Sequence, residues 1–578
     1  MVVTSVIGMA FAVLFMLVIV APLWLLFSLI RLGVKLAVVK LLHKNKMELL
    51  RGMDAGFVYR HLDRPTNRLN FCSFVIIEGR PDLEAVRDRI SAKMLDSKSK
   101  KDETRSRAKR LTQFVRRSMG YFFWDEEPDF AVEKHVRFAT AEKKCKRCAE
   151  EYPGTLCFQN DQDLGTFIAG LSEKDFEKNF SPWEVLVVPR CRDDPETELQ
   201  YAIVFRMHHV IADGVALVRS FLDCLVDEDI RTVDRRSSEG DLQSTVPSIS
   251  LPKGDVGFRA MLRGFFNMPG MAMRIFTGPD NNALFGKPLT GKRVMCWSDP
   301  LPLTLLREVG KVQNQNVTIN DVYMSSVTAA LLKRTKYCSK PVKNGLEVCL
   351  PVPPTNDLKV SAIIPIGLYS CNCSGKKPVT GKSPVCNKCD PYWENCVGNR
   401  LTVVRVQLDS SSDTPAARLR ATRERFALMK QSVDVAGSYV LGTYFMNVFP
   451  NPFLEPLIRN ETSTLVASNL AGPDKCLHIA GQKCLRFVYW VPQTGDAGIG
   501  VSILSYNGQA TLAVAADTAI LPDYQEAESF LRDVVHEVRL LAGVARFPVS
   551  EDGCGRKYSP KYEAFIPTHL PHSHKNER

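Results

Sequence analysis

Residues 2–30 carry no charged side chain and consist mostly of Val, Leu, Ile, Phe, Met and Ala. A helix crosses the hydrocarbon core of a bilayer in roughly 20 apolar residues, so this run is long enough for one crossing and too short for two. A buried core helix is the alternative. A cleaved leader is not expected, because no basic segment precedes the apolar run. Arg31, Lys35, Lys40, Lys44 and Lys46 all follow it, a bias that puts the bulk of the chain on the cytosolic side of a membrane. Residues 32–50 are amphipathic and basic, a pattern suited to lying along a membrane surface.

Past this segment the apolar positions switch between strand and helix periods. Residues 71–78 read as a strand, and 82–94 as a helix that Asp82 caps behind Pro81. Residues 199–207 are rich in β-branched and aromatic side chains and predict a strand. Val215, Leu217, Val218, Phe221, Leu222 and Leu225 then repeat at helical spacing. Further on, helices are predicted over 303–312 and 319–333. Strands are predicted over 348–352, 401–408, 464–468, 487–491, 500–505 and 510–516. A last helix runs over 524–541, with Pro522 and Asp523 as start signals.

The polar stretches divide the chain. Residues 95–108 are dense in Lys, Arg, Ser and Asp and read as a solvated loop, with a grip on CoA phosphates or anionic lipid as the alternative. Residues 226–255 read as a linker or exposed crossover. Residues 258–276 interleave Arg, Met and Phe and suit either an interfacial helix or a plain connecting one. The expected organisation is 1–46 as anchor and basic juxtamembrane segment, 47–225 as a first half, 226–284 as linker, 285–545 as a second half and 546–578 as a poorly ordered tail. In that tail His569, His572 and His574 can bind metal or simply face solvent.

A chain of 578 residues with 45% hydrophobic and 24% charged side chains can build two or three sizeable cores. The net charge of +12 suits anionic partners such as phospholipid or CoA phosphates. No nucleic-acid-binding pattern accompanies it, so nucleic acid is not an expected partner.

The candidate chemistry is concentrated in His208-His209-Val210-Ile211-Ala212-Asp213-Gly214, where the predicted strand ends and the next helix begins. A neutral imidazole fixed beside a substrate hydroxyl can take its proton and make it a nucleophile. Asp213 can orient a neighbour or pair with an arginine, and Gly214 allows a tight turn. The bland alternative is a pair of histidines that merely pack or face water.

His-His-x-x-x-Asp-Gly resembles the signature of the condensation and chloramphenicol-acetyltransferase type of acyl-CoA-dependent acyltransferases. Other stretches are similar to one branch, the bifunctional wax ester synthase/diacylglycerol acyltransferases. These are Met53-Asp54-Ala55-Gly56-Phe57, Pro65-Thr66-Asn67 with Val75-Ile76-Ile77-Glu78-Gly79, Ser181-Pro182-Trp183-Glu184, Leu289-Thr290-Gly291-Lys292-Arg293, Asn320-Asp321-Val322, Ser468-Asn469-Leu470-Ala471-Gly472-Pro473 and Ser505-Tyr506-Asn507-Gly508. They keep family order from about residue 47 to 545. Trp124, Asp129-Phe130 and His135-Val136-Arg137 resemble a further family run, read as core aromatics and a strand entry in preference to catalysis by His135.

The resemblance implies an α/β fold of two chloramphenicol-acetyltransferase-like sandwiches with a tunnel at their junction. It implies acyl transfer from acyl-CoA to a fatty alcohol or diacylglycerol drawn from membrane lipids. His209 would be the general base, His208 structural, Asp213 and Gly214 holders of the turn. Asn320 would support the opposite face near the oxyanion, with helix capping as its alternative. No cofactor is implied; acyl-CoA is a substrate. The implied location is a single-pass membrane protein of the endoplasmic reticulum. Acceptors such as a sterol, a short alcohol or an amine remain open, as does a non-catalytic lipid-binding or lipid-droplet role.

Cys371, Cys373, Cys386, Cys389 and Cys396 cluster in an insertion over 366–397 that the family pattern does not require. The first four can hold zinc, form disulfides or stay reduced. Cys145-Lys146-Arg147-Cys148 lacks a second half at metal-site spacing. Asn316, Asn372 and Asn460 lie in glycosylation sequons, usable only if the topology is inverted.

Overall fold

The computed structural model describes residues 14–41, 47–50, 54–58, 68–95, 109–140, 152–191, 198–227, 278–314, 316–335, 337–341, 347–351, 358–367, 398–431, 434–442, 448–450, 462–543, 550–551 and 557–558. The cysteine-rich insertion, Cys145–Cys148, most of the 226–284 linker, the 96–108 charged stretch, the His-rich tail, Asn372 and Asn460 lie outside them. Among the described residues no group of three or more His, Cys, Asp or Glu side chains is placed to hold a metal ion.

The first sheet is built around the histidine strand, Gln200–His208. It lies antiparallel between Asn70–Glu78 and Trp183–Pro189, with Val136–Phe138 parallel to the latter at the edge. All seven residues of Trp183–Pro189 are buried, so it has no polar alternation to betray it as a strand in sequence. The other neighbour of Asn70–Glu78 comes from far along the chain. Gln482–Trp490 pairs with it antiparallel, Val488 opposite Phe74 and Trp490 opposite Cys72, and carries the short His478–Ile479 beyond it. A strand of the C-terminal half thus completes the sheet that carries the histidines.

The second sheet has the order Leu401–Gln407, Ser361–Gly367, Leu465–Ala471, Ile499–Tyr506, Gln509–Asp517, Arg293–Trp297. Two of its contacts are parallel, those of Leu465–Ala471 with its neighbours on either side. Helices Leu303–Val312, Ile319–Thr335 and Tyr524–Ala542 cover one face, their Leu306, Val327, Leu331, Phe530 and Val534 joining Ile364, Val501 and Leu512 in one buried cluster. As the sequence predicts, Asp82 and Asp523 cap their helices, accepting from Ala85 N–H and Glu526 N–H at 2.9 Å each. This mixed α/β arrangement agrees with the expected fold class.

Helix Asp161–Ser172 joins the two sheets. Its Leu164 and Ile168 share a buried cluster with Phe74, Val188 and Val204 of the first sheet and Met295, Trp297, Ala513 and Ala515 of the second. The helix lies so close to the second sheet that a Cβ on Gly165 would sit 2.6 Å from the Met295 carbonyl oxygen. Glycine is required there for space.

A small sheet, Glu48–Leu49, Tyr121–Glu126, Gln113–Ser118, seats the N-terminal helix. That helix, Ala21–Leu36, is extended at both ends by wider turns, Met16–Val20 and Ala37–Leu41. Residues 32–41, part of the amphipathic basic stretch 32–50, continue this helix. Val34 and Val38 turn inward against Met47, Leu49, Tyr121 and Phe123.

The close approach at Gly165 has a stability consequence. Gly165→Ala should lower stability by about 1–3 kcal/mol despite the better helix propensity of alanine, because backbone cannot yield to the added methyl. Gly170→Ala on the same helix, where nothing lies within 4 Å, should be neutral or stabilising. Thermal unfolding of the detergent-solubilised protein separates the two.

Candidate functional site

The histidine strand delivers His208 as its last residue and His209 as the first of the turn. Both backbone N–H groups are held from opposite sides: His208 donates to the Pro182 carbonyl at 2.8 Å and His209 to the Leu69 carbonyl at 2.9 Å. His208 is buried, and its Nδ1 accepts the Val210 N–H at 3.1 Å, which stiffens the turn. His209 is half-buried, its ring stacked on Phe57 with centroids 4.0 Å apart.

Asp213 caps helix Gly214–Leu225, accepting the Ala216 N–H at 3.0 Å through Oδ1. Its Oδ2 accepts the Arg400 N–H at 2.8 Å. Both of these bonds come from main-chain N–H groups and neither uses the arginine side chain that the sequence reading pairs with Asp213. Gly214 serves space and not a special backbone conformation. It opens the helix with no positive φ, and a Cβ there would lie 3.0 Å from Leu470 Cδ1 and 3.7 Å from the Phe71 ring. A strand of the second sheet therefore rests directly on the turn.

The second half supplies a clasp, Gly398-Asn399-Arg400, just ahead of strand Leu401–Gln407. The Gly398 carbonyl accepts the Asp213 N–H at 3.1 Å. Asn399 Nδ2 donates to the His209 carbonyl at 2.8 Å and to Asp54 Oδ1 at 2.9 Å, while its Oδ1 lies 3.0 Å from His209 Nδ1. A flipped amide would point its oxygen at a carboxylate and a carbonyl, so the orientation is set by its neighbours. An oxygen facing Nδ1 requires the proton on that nitrogen, which leaves Nε2 as the basic one. Asp54 is buried and paired with Arg110 Nη1 at 2.9 Å. Burial pushes its carboxyl above the ordinary range, opposed by the Arg110 charge and the Asn399 bond. Arg110 lies over Trp124 of the small sheet, 5.4 Å from the ring centroid.

The other sequence candidates have different surroundings. Asn320 is buried in the first turn of Ile319–Thr335, but the cap is a reciprocal pair of its neighbours: Thr318 Oγ1 accepts the Asp321 N–H at 3.3 Å, and Asp321 Oδ2 accepts from Thr318 N–H and Oγ1–H at 2.8 Å each. No hydrogen bond among the described residues involves the Asn320 amide. His135 is fully buried, sandwiched by Phe180 and Trp183 and bonded to the Trp183 carbonyl and Glu127, a core position as expected. The family-like segments at 468–473 and 505–508 are structural ties. Gly472 N–H donates to the Ser505 carbonyl, Asn507 and Gly508 make a positive-φ turn, and Tyr506 OH donates to Cys484 of the crossover strand at 2.8 Å.

Asn399 and Arg110 carry no sequence signal. Asn399 is a lone amide after the cysteine-rich insertion, and Arg110 lies just past the basic stretch 95–108 that reads as solvated. Asp54 and Phe57 stand in a quoted family segment, which assigns them no role.

Comparison with known proteins supplies the family. The profile of the wax ester synthase/diacylglycerol acyltransferase catalytic domain matches residues 50–323, and that of the WS/DGAT C-terminal domain matches residues 397–539. A protein of Mycobacterium tuberculosis H37Rv named a probable diacylglycerol O-acyltransferase is 24% identical over 526 residues, covering 86% of this chain and 96% of that one. Among solved structures, the wax ester synthase/diacylglycerol acyltransferase from Marinobacter aquaeolei VT8 aligns over 86% of this chain and 100% of its own, with TM-score 0.50 and 16% identity. The trichothecene 15-O-acetyltransferase from Fusarium sporotrichioides aligns over 86% and 94%, with TM-score 0.51 and 11% identity. These two likenesses establish the shared fold.

Asp213→Ala removes a helix cap and strands the Arg400 N–H, and should cost about 1–3 kcal/mol of stability. Asp213→Asn can keep the cap but turns an NH2 toward one of the two N–H groups, so it should recover only part. Chemical denaturation of the three proteins reads the order wild type, Asn, Ala.

Proposed function

Since the chain belongs to the wax ester synthase/diacylglycerol acyltransferase family, we propose that it is a membrane-anchored enzyme with His209 as general base. It moves a fatty acyl group from acyl-CoA to a long-chain alcohol, to diacylglycerol, or to both. The observation that supports the assignment is the Asn399 oxygen 3.0 Å from His209 Nδ1, which puts the proton on Nδ1 and makes Nε2 the basic nitrogen.

In this reading Nε2 takes the proton of the acceptor hydroxyl as its oxygen attacks the thioester carbonyl. The tetrahedral intermediate then breaks its C–S bond, and the CoA thiolate recovers the proton from the imidazolium. The ester leaves, His209 is again neutral, and no acyl-enzyme is formed. Phe57 and Asn399 hold the ring through the proton cycle, Asp54 holds Asn399, and Asn320 supports the opposite face near the oxyanion. An apolar tunnel between the halves would take the acyl chain and the acceptor.

The anchor in this reading is the helix whose candidate span is Leu17–Lys40. Large apolar residues such as Leu17, Val18, Leu25 and Leu29 are more than half exposed on it, which suits lipid and not water. In this reading the catalytic body faces the cytosol from the endoplasmic reticulum membrane, an orientation that the basic residues after the span favour.

Membranes carrying wild type, His209→Ala or Asn399→Leu, supplied with labelled palmitoyl-CoA and either hexadecanol or diacylglycerol, test this. His209→Ala should lose about 10²–10⁴-fold in rate at equal protein level. Asn399→Leu should lose on the order of a hundredfold in kcat with KM for acyl-CoA held, because binding surfaces remain while the ring is freed. Undiminished activity in His209→Ala removes the base from the mechanism, and the product formed by wild type identifies the acceptor.

A further inference from the structure

The N-terminal helix is not a loose tether. From Phe27 to Val38 it is fixed to the body at four places. Phe27 meets Phe449 with ring centroids 5.2 Å apart, Arg31 Nη2 donates to the Leu50 carbonyl at 2.7 Å, and Val34 and Val38 enter the small-sheet cluster. Eleven rises of helix, about 16 Å, are thereby locked in direction. Residues before Arg31 are uncharged, so if the helix spans a bilayer the interface falls near Ile30 and Arg31.

That level passes through two other parts of the body. The Val448–Pro450 segment lies beside Phe27 through Phe449. The tip of the hairpin between Gln113–Ser118 and Tyr121–Glu126 is joined to that segment. Tyr121 OH donates to the Val448 carbonyl at 3.0 Å, and a Cβ on Gly120 would touch Pro450 at 3.4 Å. At the tip Met119 is 58% exposed and held at φ +48°, a conformation that costs energy for a long side chain. Arg117 is exposed beside it, and Arg116, paired with Asp125 at 2.6 Å, is half-buried. An exposed apolar tip flanked by cations, at the level where a locked helix enters lipid, has the chemistry of an interfacial contact.

We propose that this hairpin tip, with the Val448–Pro450 segment, is a second membrane contact that docks on anionic phospholipid headgroups beside the anchor. The inference rests on the anchored reading above. Its consequence is a fixed orientation. The small sheet that bears the tip also bears Trp124 under Arg110, and Arg110 holds Asp54 of the histidine clasp. The active site is therefore held at one height and one angle over the bilayer.

The test uses the full chain in vesicles of phosphatidylcholine and phosphatidylserine, with an environment-sensitive fluorescent amino acid introduced by codon suppression at Met119, Leu23 or Leu540. Leu540, 49% exposed on helix Tyr524–Ala542, is the water-facing reference. Lipids brominated at different depths serve as quenchers. Met119 should be quenched by shallow bromines well above Leu540, and Leu23 by deep ones. Met119 behaving like Leu540 while Leu23 is quenched overturns the second contact and leaves the anchor standing. An unquenched Leu23 overturns the anchored reading itself. In parallel, Arg117→Glu should raise KM for vesicle-borne diacylglycerol about fivefold and leave detergent-solubilised substrate unaffected. Equal KM values in vesicles would also count against the contact.

Discussion

Asn399 Nδ2 has a carboxylate and a carbonyl to bond, so its Oδ1 has one direction left, toward the His209 ring. That geometry couples two halves of the chain. The histidine turn belongs to the first sheet, while the residue that sets its tautomer leads into the edge strand of the second. Hydrogen bonds fail beyond a few tenths of an ångström, so the two sheets must hold a fixed relation for this imidazole to keep its orientation.

Much of the remaining structure serves that relation. Gln482–Trp490 leaves the second half to pair with Asn70–Glu78, and helix Asp161–Ser172 buries its apolar face against both sheets. Leu470 presses on Gly214, and Tyr506 reaches the crossover strand. Polar knots do the same within the second half. Asp280, with a fully buried carboxylate, takes bonds from Ser361, Thr464 and Arg405 and ties the ends of two strands together. Buried charges with this many partners are costly to disturb, because each donor stranded by a shift would lose its bond without gaining water.

The Asp54 carboxyl shows the same economy nearer the chemistry. It is buried deeply enough to be pushed above the usual carboxylate range, yet it stands between a guanidinium and an amide that both favour its charge. Through Trp124 the network ends on the small sheet, whose Tyr121 and Phe123 contact the N-terminal helix. The position of the imidazole and the seat of the apolar helix are therefore parts of one packed body.

Periodicity and local chemistry determined a good deal by themselves. The β-branched and aromatic content of 199–207 and helical spacing after Val215 placed His208 and His209 at a strand-to-helix turn, and the caps at Asp82 and Asp523 were legible because capping is a local interaction. Trp183–Pro189 was not legible, since a strand buried on both faces has no polar period. Nor was helix Asp161–Ser172, whose two glycines and acidic first turn obscure its apolar face, or the reason for Gly214, which is a leucine some 250 residues away. Only the tertiary structure brought Asn399 to the His209 ring, with Asp54 and Arg110 linked behind it. The sequence distances among them are long, and a single amide or cation has no periodicity to announce it. Residue pattern decides which segments form and which side chains can do chemistry; the protonation and direction of the His209 imidazole depend on contacts that exist only once the halves close on each other.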